Sequence, residues 1–139
     1  MKSNNDIIVI EDDPDDREIL QQVFRETYSN FHLVFFDNAP SAFNYLMSIP
    51  DKPFIIISDI NLPGLSGIEF KKKIDSTDYL RKKTIPFVFL TTADSQRVVE
   101  DAYQSANLQG YFKKQNLLKE IRNQVQCIME YWTMALSPE

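Results

Sequence analysis

Phe54-Ile-Ile-Ile57-Ser-Asp59-Ile-Asn61-Leu-Pro63-Gly64-Leu-Ser-Gly67 is the stretch whose reading decides the fold. It opens with an apolar run, Phe54 to Ile57, rich in β-branched residues. A run that is apolar at every position, rather than at alternate ones, fits a strand buried on both faces. Such strands lie at the centre of parallel sheets covered by helices on each side. Asp59 then sets a carboxylate where the strand should end, and Pro63, Gly64 and Gly67 force a turn before the next helix. Ligands of open parallel sheets bind just beyond the carboxyl ends of the strands. Asp59 is therefore a candidate for chemistry, with a plain turn residue as the alternative.

Working outward, Ile7 to Ile10 is a second short apolar run, and it stops at Glu11-Asp12-Asp13-Pro14-Asp15-Asp16. Part of that acidity is structural. Asp13 suits an N-cap, Pro14 the first helical position, and Asp15 and Asp16 the positive end of a helix macrodipole. Glu11 and Asp12 are left over, at the same sheet edge as Asp59. Carboxylates placed together repel unless they share a cation, and a few hard oxygen ligands with room for water suit Mg²⁺. Downstream, Pro86 to Leu90 is a strand ending in Thr91-Thr92, and Gln109 to Lys113 is a short last strand followed by Lys114. Phe31 to Phe36 is a further strand, and His32 within it receives no role.

Helical spacing fills the intervals. Arg17 to Tyr28 carries Ile19, Leu20, Val23, Phe24 and Thr27, and Ala39 to Ser48 turns Phe43, Leu46 and Met47 inward. Ser66 with Glu69 forms a capping box that opens the third helix. Lys71-Lys72-Lys73 is expected on its solvated face, and Asp75 to Ile85 as a polar connection. After Thr91, Ser95 or Asp94 caps a fourth helix with Val98, Val99, Ala102 and Ala106 as its apolar positions. Asn107 follows where a residue with positive φ is expected. The last helix is expected from about Asn116, with Leu117, Leu118, Ile121, Val125, Ile128, Met129 and Trp132 at helical spacing. Strands alternating with helices give a doubly wound α/β fold.

At 139 residues the whole chain, 1–139, reads as one domain. A net charge of −5 argues against direct nucleic-acid binding, which needs a basic patch. The single cysteine, Cys127, cannot close an intramolecular disulfide and fits a reducing cytosol. The first residues lack the apolar run of a signal peptide, and no segment is long and apolar enough to span a membrane. These features lead to the expectation of a cytoplasmic protein.

The motifs Ile-Val-Ile-Glu11-Asp12, Ser-Asp59-Ile-Asn-Leu-Pro63, Pro-Phe-Val-Phe-Leu-Thr91 and Gly-Tyr111-Phe-Lys-Lys114 occur in this order and spacing. Together they resemble the response-regulator receiver domain of two-component signalling, across essentially the whole chain. The resemblance implies a flavodoxin-like, five-stranded parallel sheet in the order 2-1-3-4-5, flanked by five helices. It implies Asp59 as phosphoacceptor, taking its phosphoryl group from phosphohistidine on a sensor histidine kinase or phosphotransfer protein. Asp12, Asp59 and the main-chain carbonyl of Asn61 would hold Mg²⁺, with Glu11 acting through water. Thr91 and Lys114 would bind the phosphoryl group, and Tyr111 would be the switch aromatic. Two positions depart from the family: Gln115 stands where proline usually follows the lysine, and Asn107 where glycine usually precedes the last strand. A cis bond before a non-proline residue costs about 3 kcal/mol, so Lys114–Gln115 is expected to be trans.

Two other classes share parts of this pattern. A phosphatase of the haloacid dehalogenase type also uses a strand-end Asp, a Thr or Ser, a Lys and Mg²⁺. It typically needs a second acid two residues after the nucleophile, where this chain has Asn61. A flavodoxin needs a Ser/Thr/Gly-rich phosphate loop after its first strand, and the acidic loop here would repel phosphate. The expectation is thus a switch rather than an enzyme, limited to self-phosphorylation and slow autodephosphorylation. With the last helix running to the end of the sequence, output is expected through protein contacts. The fourth helix, the last strand and the last helix form the expected face, with Tyr103, Tyr111 and Trp132 among its aromatics and a possible homodimer formed there.

Overall fold

The computed structural model describes residues 3–105 and 108–135. Its elements run β1 (Asp6–Ile10), α1 (Pro14–Thr27), β2 (His32–Phe36), α2 (Ala39–Ser48), β3 (Ile55–Ser58) and α3 (Gly67–Asp75). They continue with α4 (Asp78–Arg81), β4 (Phe87–Thr91), α5 (Gln96–Ser105), β5 (Tyr111–Lys113) and α6 (Leu118–Met134). The five strands form one sheet in the order β2-β1-β3-β4-β5, every pair parallel. Fold class and strand order agree with the sequence reading.

Side chains alternate across a strand, so each apolar run supplies two cores at once. Ile8, Ile10, Ile56, Phe87 and Phe89 face Ala42, Leu46, Phe70, Ile74, Leu80 and Ala102, from α2 to α5. Ile7, Val9, Ile55, Ile57, Val88 and Leu90 face Leu20, Val23, Phe24, Val125, Ile128 and Met129, from α1 and α6. Each Val, Leu, Ile, Phe or Met among them, fully buried, contributes about 1.5–3 kcal/mol relative to exposure. That double burial explains why the strands read as unbroken apolar runs.

The register fixes the site. Ile10 pairs with Ser58, Ser58 with Phe89, and Thr91 with Lys113. The residues at or just beyond these ends, Glu11, Asp59, Thr91 and Lys114, therefore meet at one edge.

Local side chains cap the starts of α1, α3 and α5. Asp13 caps α1, its side chain accepting from the Asp15 N–H at 2.9 Å, and Pro14 is the first helical residue. Ser66 and Glu69 form the full capping box of α3. Ser95 rather than Asp94 serves α5, its hydroxyl accepting from the Val98 N–H at 3.3 Å. Asp94 instead pairs with Lys113 at 2.8 Å. The Lys114–Gln115 peptide is trans, as expected.

Several expectations need correction. The helices number six among the described residues, because the expected polar connection contains α4. Leu80 anchors that turn by full burial, and the Lys83 ammonium donates to the carbonyls of Ile49 at 2.8 Å and Asp51 at 3.0 Å. Lys71 is not on a solvated face. It is buried, its ammonium bonded to Asp75 at 2.7 Å and lying 5.4 Å from the centre of the Phe87 ring. A lysine stem can cover apolar surface while its head finds a partner, and a count of consecutive lysines does not reveal which one does so. Thr27, Met47 and Leu117 are exposed rather than inward, each lying at the border of its helix's apolar stripe or end. Strand β5 is shorter than expected, and α6 begins at Leu118. Ala106 and Asn107 lie outside the described residues.

Candidate functional site

Asp59 is held by its own backbone first. Its N–H donates to the Ile10 carbonyl at 3.0 Å, which continues the β1–β3 pairing one residue past the strand. Beyond it the chain turns through Gly64, at φ +74°, and folds back so that the Gly67 N–H donates to the Ile60 carbonyl at 2.8 Å. The approach is so close that a β-carbon on Gly67 would lie 2.1 Å from the Asp59 main-chain oxygen. Glycine is therefore obligatory at the start of α3, and the phosphoacceptor candidate rests against that helix terminus.

The Asp59 carboxylate is nearly buried and fully engaged. Oδ1 accepts from the Ile60 N–H at 2.7 Å and from the Thr91 hydroxyl at 2.5 Å. Oδ2 accepts from the Lys114 ammonium at 2.9 Å. Lys114 is itself fixed from behind, its N–H donating to the Thr91 carbonyl at 2.8 Å as β4–β5 pairing runs on. Its ammonium also meets Glu11 at 2.5 Å and Asp16 at 2.8 Å.

Glu11 is buried and Asp12 beside it is exposed. The Glu11 main chain is pinned by Phe36, whose carbonyl accepts its N–H at 2.9 Å, and by Arg17, which donates to its carbonyl at 3.0 Å. Burial pushes the Glu11 carboxyl up to about 7, although hydrogen bonding to Lys114 works the other way. For Lys114 burial disfavours the charge, but its hydrogen bonds to Asp16, Glu11 and Asp59 prevail and raise it above the usual lysine range. The Lys114 ammonium and the Arg17 guanidinium among four acids still leave the site short of positive charge.

One oxygen each from Glu11, Asp12 and Asp59 lies within 4.8 Å of the others. Hard oxygen donors, two buried and one exposed to water, with excess negative charge, fit a divalent cation such as Mg²⁺. Asn61, in the same loop as Asp59, is exposed. The Asp12→Ala variant should lose most of its divalent-metal affinity and keep its thermal midpoint. Asp13→Ala should do the reverse, keeping the metal and losing about 1 kcal/mol of stability with its cap. Metal titration beside thermal denaturation separates them, and equal metal effects would mean the acid pair is misidentified.

Thr91 and Tyr111 form a second line from the same carboxylate. Besides bonding Asp59, the buried Thr91 hydroxyl accepts from the Ala93 N–H at 3.2 Å. The Tyr111 hydroxyl donates to the Ala93 carbonyl. Its half-buried ring meets Phe89 edge-on at 6.0 Å and stacks on the exposed Tyr103 at 6.3 Å. A chain of contacts thus leads from Asp59 to the surface of α5.

The structure brings Glu11, Asp12, Asp59, Thr91 and Lys114 together at this edge, and Tyr111 is linked to them through Ala93. Asp16, Arg17 and Gly67 are additional. In the sequence Asp16 reads as a helix-terminal acid, and its contact with Lys114 appears only in the fold. Nothing in the residue types alone distinguishes it from Asp15.

The family model described as "Response regulator receiver domain" matches residues 7–126. The chain is 27% identical over 131 residues to response regulator Rcp1 of Synechocystis sp., spanning 91% of this chain and 87% of that protein. Among solved structures, the Mn²⁺-bound form of response regulator Rcp1 superposes with a TM-score of 0.82 at 25% identity, covering 98% of this chain and 99% of that one. The phosphorylated cyanobacterial phytochrome response regulator RcpA gives a TM-score of 0.86 at 24% identity, over 99% and 100% of the two chains, a likeness of fold. Among the described residues no helix is long and apolar enough to cross a membrane.

Proposed function

The chain belongs to the response regulator receiver family, and from that premise we propose a phosphoacceptor switch in which Asp59 takes a phosphoryl group from phosphohistidine. The observation that carries this reading is the convergence of the Lys114 ammonium, the Thr91 hydroxyl and the Ile60 N–H on one nearly buried carboxylate. A carboxylate oxygen of Asp59 attacks phosphorus, the phosphorus–nitrogen bond to the donor imidazole breaks, and its electron pair stays with the imidazole. Catalysis of such a transfer is almost wholly positioning and charge neutralisation. Lys114 supplies a cation to the incoming phosphoryl oxygens, and Thr91 can turn its hydroxyl from Asp59 to one of them. Asp12, Asp59 and the Asn61 carbonyl, with Glu11 through water, would hold Mg²⁺, which when bound neutralises phosphoryl charge. The donor is a sensor histidine kinase or phosphotransfer protein, and residues 1–139 act as one receiver domain.

Acetyl phosphate with Mg²⁺ should add one phosphoryl group to the chain, detected by intact mass. Chelation should prevent it, and hydroxylamine should remove it as it removes other acyl phosphates. A label that withstands hydroxylamine, or that forms equally well with chelator, would overturn the reading.

Output then runs through α5, β5 and α6. The bond from Tyr111 to the Ala93 carbonyl and its stack on Tyr103 support this direction of coupling. Exposed Tyr103, Tyr131 and Met134 lie on these helices, while Trp132 folds back toward the core. A homodimer through this face is the expected phosphorylated state. With beryllofluoride as phosphoryl mimic, wild type should gain mass in solution and Tyr103→Ala should not. Equal masses for folded wild type and variant would move the output surface elsewhere.

A further inference from the structure

We propose that Asp16 is a positioning residue for Lys114, the acceptor to which the ammonium withdraws when a divalent cation settles among the Glu11, Asp12 and Asp59 carboxylates. The inference rests on the metal role proposed above. An ammonium has three N–H donors, and Lys114 directs them at Glu11 Oε1 at 2.5 Å, Asp16 Oδ2 at 2.8 Å and Asp59 Oδ2 at 2.9 Å. Glu11 and Asp59 belong to the trio whose oxygens gather within 4.8 Å, and Asp16 does not. Lysine and metal thus compete for the same two carboxylates.

A cation arriving among those oxygens meets a positive charge already bonded to two of them. Like charges a few ångströms apart repel far more strongly in a nearly dry site than in water. Asp16 relieves this by offering Lys114 a carboxylate outside the trio, fixed in the first turn of α1. Its side chain is 34% exposed, against 4% for Glu11 and 8% for Asp59, so a cation can rest against it at the least desolvation cost. A cavity of about 240 Å³, lined by Glu11, Asp16, Lys114, Gln115 and Gln124 among others, adjoins the pair and gives the ammonium room. The macrodipole accounts for an acid at Asp15 or at Asp16 alike, yet it is Asp16 that reaches Lys114.

The probe is Mn²⁺, its free concentration read by electron paramagnetic resonance, titrated into the full chain. Asp16→Asn should weaken Mn²⁺ binding roughly tenfold, the usual scale for a residue behind a metal site, and Asp16→Glu should recover most of the loss. Asp15→Asn reports the plain loss of one nearby charge and should have a much smaller effect. Lys114→Ala removes the competitor and should tighten binding. In that background Asp16→Asn should change affinity by roughly twofold or less, since the two residues act as one unit. Equal effects of Asp16→Asn with and without Lys114, or of Asp15→Asn and Asp16→Asn, overturn the inference. In either case loss of binding in Asp12→Ala leaves the metal reading standing. Unchanged binding in Asp12→Ala, or none in wild type, overturns the metal reading and the inference with it.

Discussion

Asp59→Asn is expected to take up no phosphoryl group from acetyl phosphate and Mg²⁺ under conditions that label every wild-type molecule. The carboxamide keeps the size and shape of the side chain, so one oxygen can still accept from the Ile60 N–H and the Thr91 hydroxyl, now at 2.7 and 2.5 Å. Its nitrogen then faces Lys114 and cannot accept from an ammonium. Lys114 retains Glu11 and Asp16 as acceptors, so the packing around it survives. What disappears is the nucleophile, because an amide oxygen does not form the acyl phosphate. Loss of a negative charge beside Glu11 and Asp12 also relieves repulsion, so the thermal midpoint should not fall. Intact mass and thermal denaturation together check this. A folded variant labelled to the wild-type level would place the acceptor on another residue.

Of the three glycines, Gly67 should tolerate an added methyl group least. An added β-carbon would stand 2.1 Å from the Asp59 carbonyl oxygen and 2.9 Å from the Ile60 α-carbon, both main-chain atoms with no rotamer to yield. Either α3 lifts from the loop, losing the Gly67 to Ile60 hydrogen bond of 2.8 Å, or the Asp59 backbone shifts. Overpacking of this kind costs about 3 kcal/mol or more, a large share of the roughly 5–15 kcal/mol that holds a domain folded. Gly64→Ala is the natural comparison. Its φ of +74° disfavours a side chain, but nothing lies within 4 Å of the new methyl group, so the cost should stay near the roughly 1–2 kcal/mol of a left-handed residue. Denaturant midpoints rank the two. Equal midpoints would mean that the loop yields, and that α3 does not brace the acceptor.

These contrasts bear on what the chain displays before it folds. The strands, the doubly wound α/β class and the strand-end groups Glu11, Asp59, Thr91 and Lys114 were legible because apolar runs and their terminal polar residues are local features, whereas the strand order 2-1-3-4-5 was implied only by the family resemblance. Asp13 and Ser66 were legible because capping is local too. The second duty of Asp16 was not, because its partner lies 98 residues away and a helix-terminal acid was already accounted for. Lys71 misled for a related reason, since a run of three lysines gives no sign of which one meets an acid and an aromatic ring. The short helix α4 hangs on one leucine and on Lys83 reaching back 34 residues to a carbonyl, contacts that no window of neighbouring residues contains.

The alternation of each strand between two separate hydrophobic clusters has a consequence for divergence. Ile7 and Ile8 are neighbours in the chain, yet they answer to different helices, one set α1 and α6, the other α2 to α5. Substitutions on the two faces that lie more than about 7–10 Å apart should therefore combine additively, as those at independent positions do. Either half can drift, repack and acquire a new clientele while the other stays as it was. The halves share the strands themselves, and at the strand ends the carboxylates, Thr91 and Lys114 form the seam at which two separately evolving surfaces must still agree.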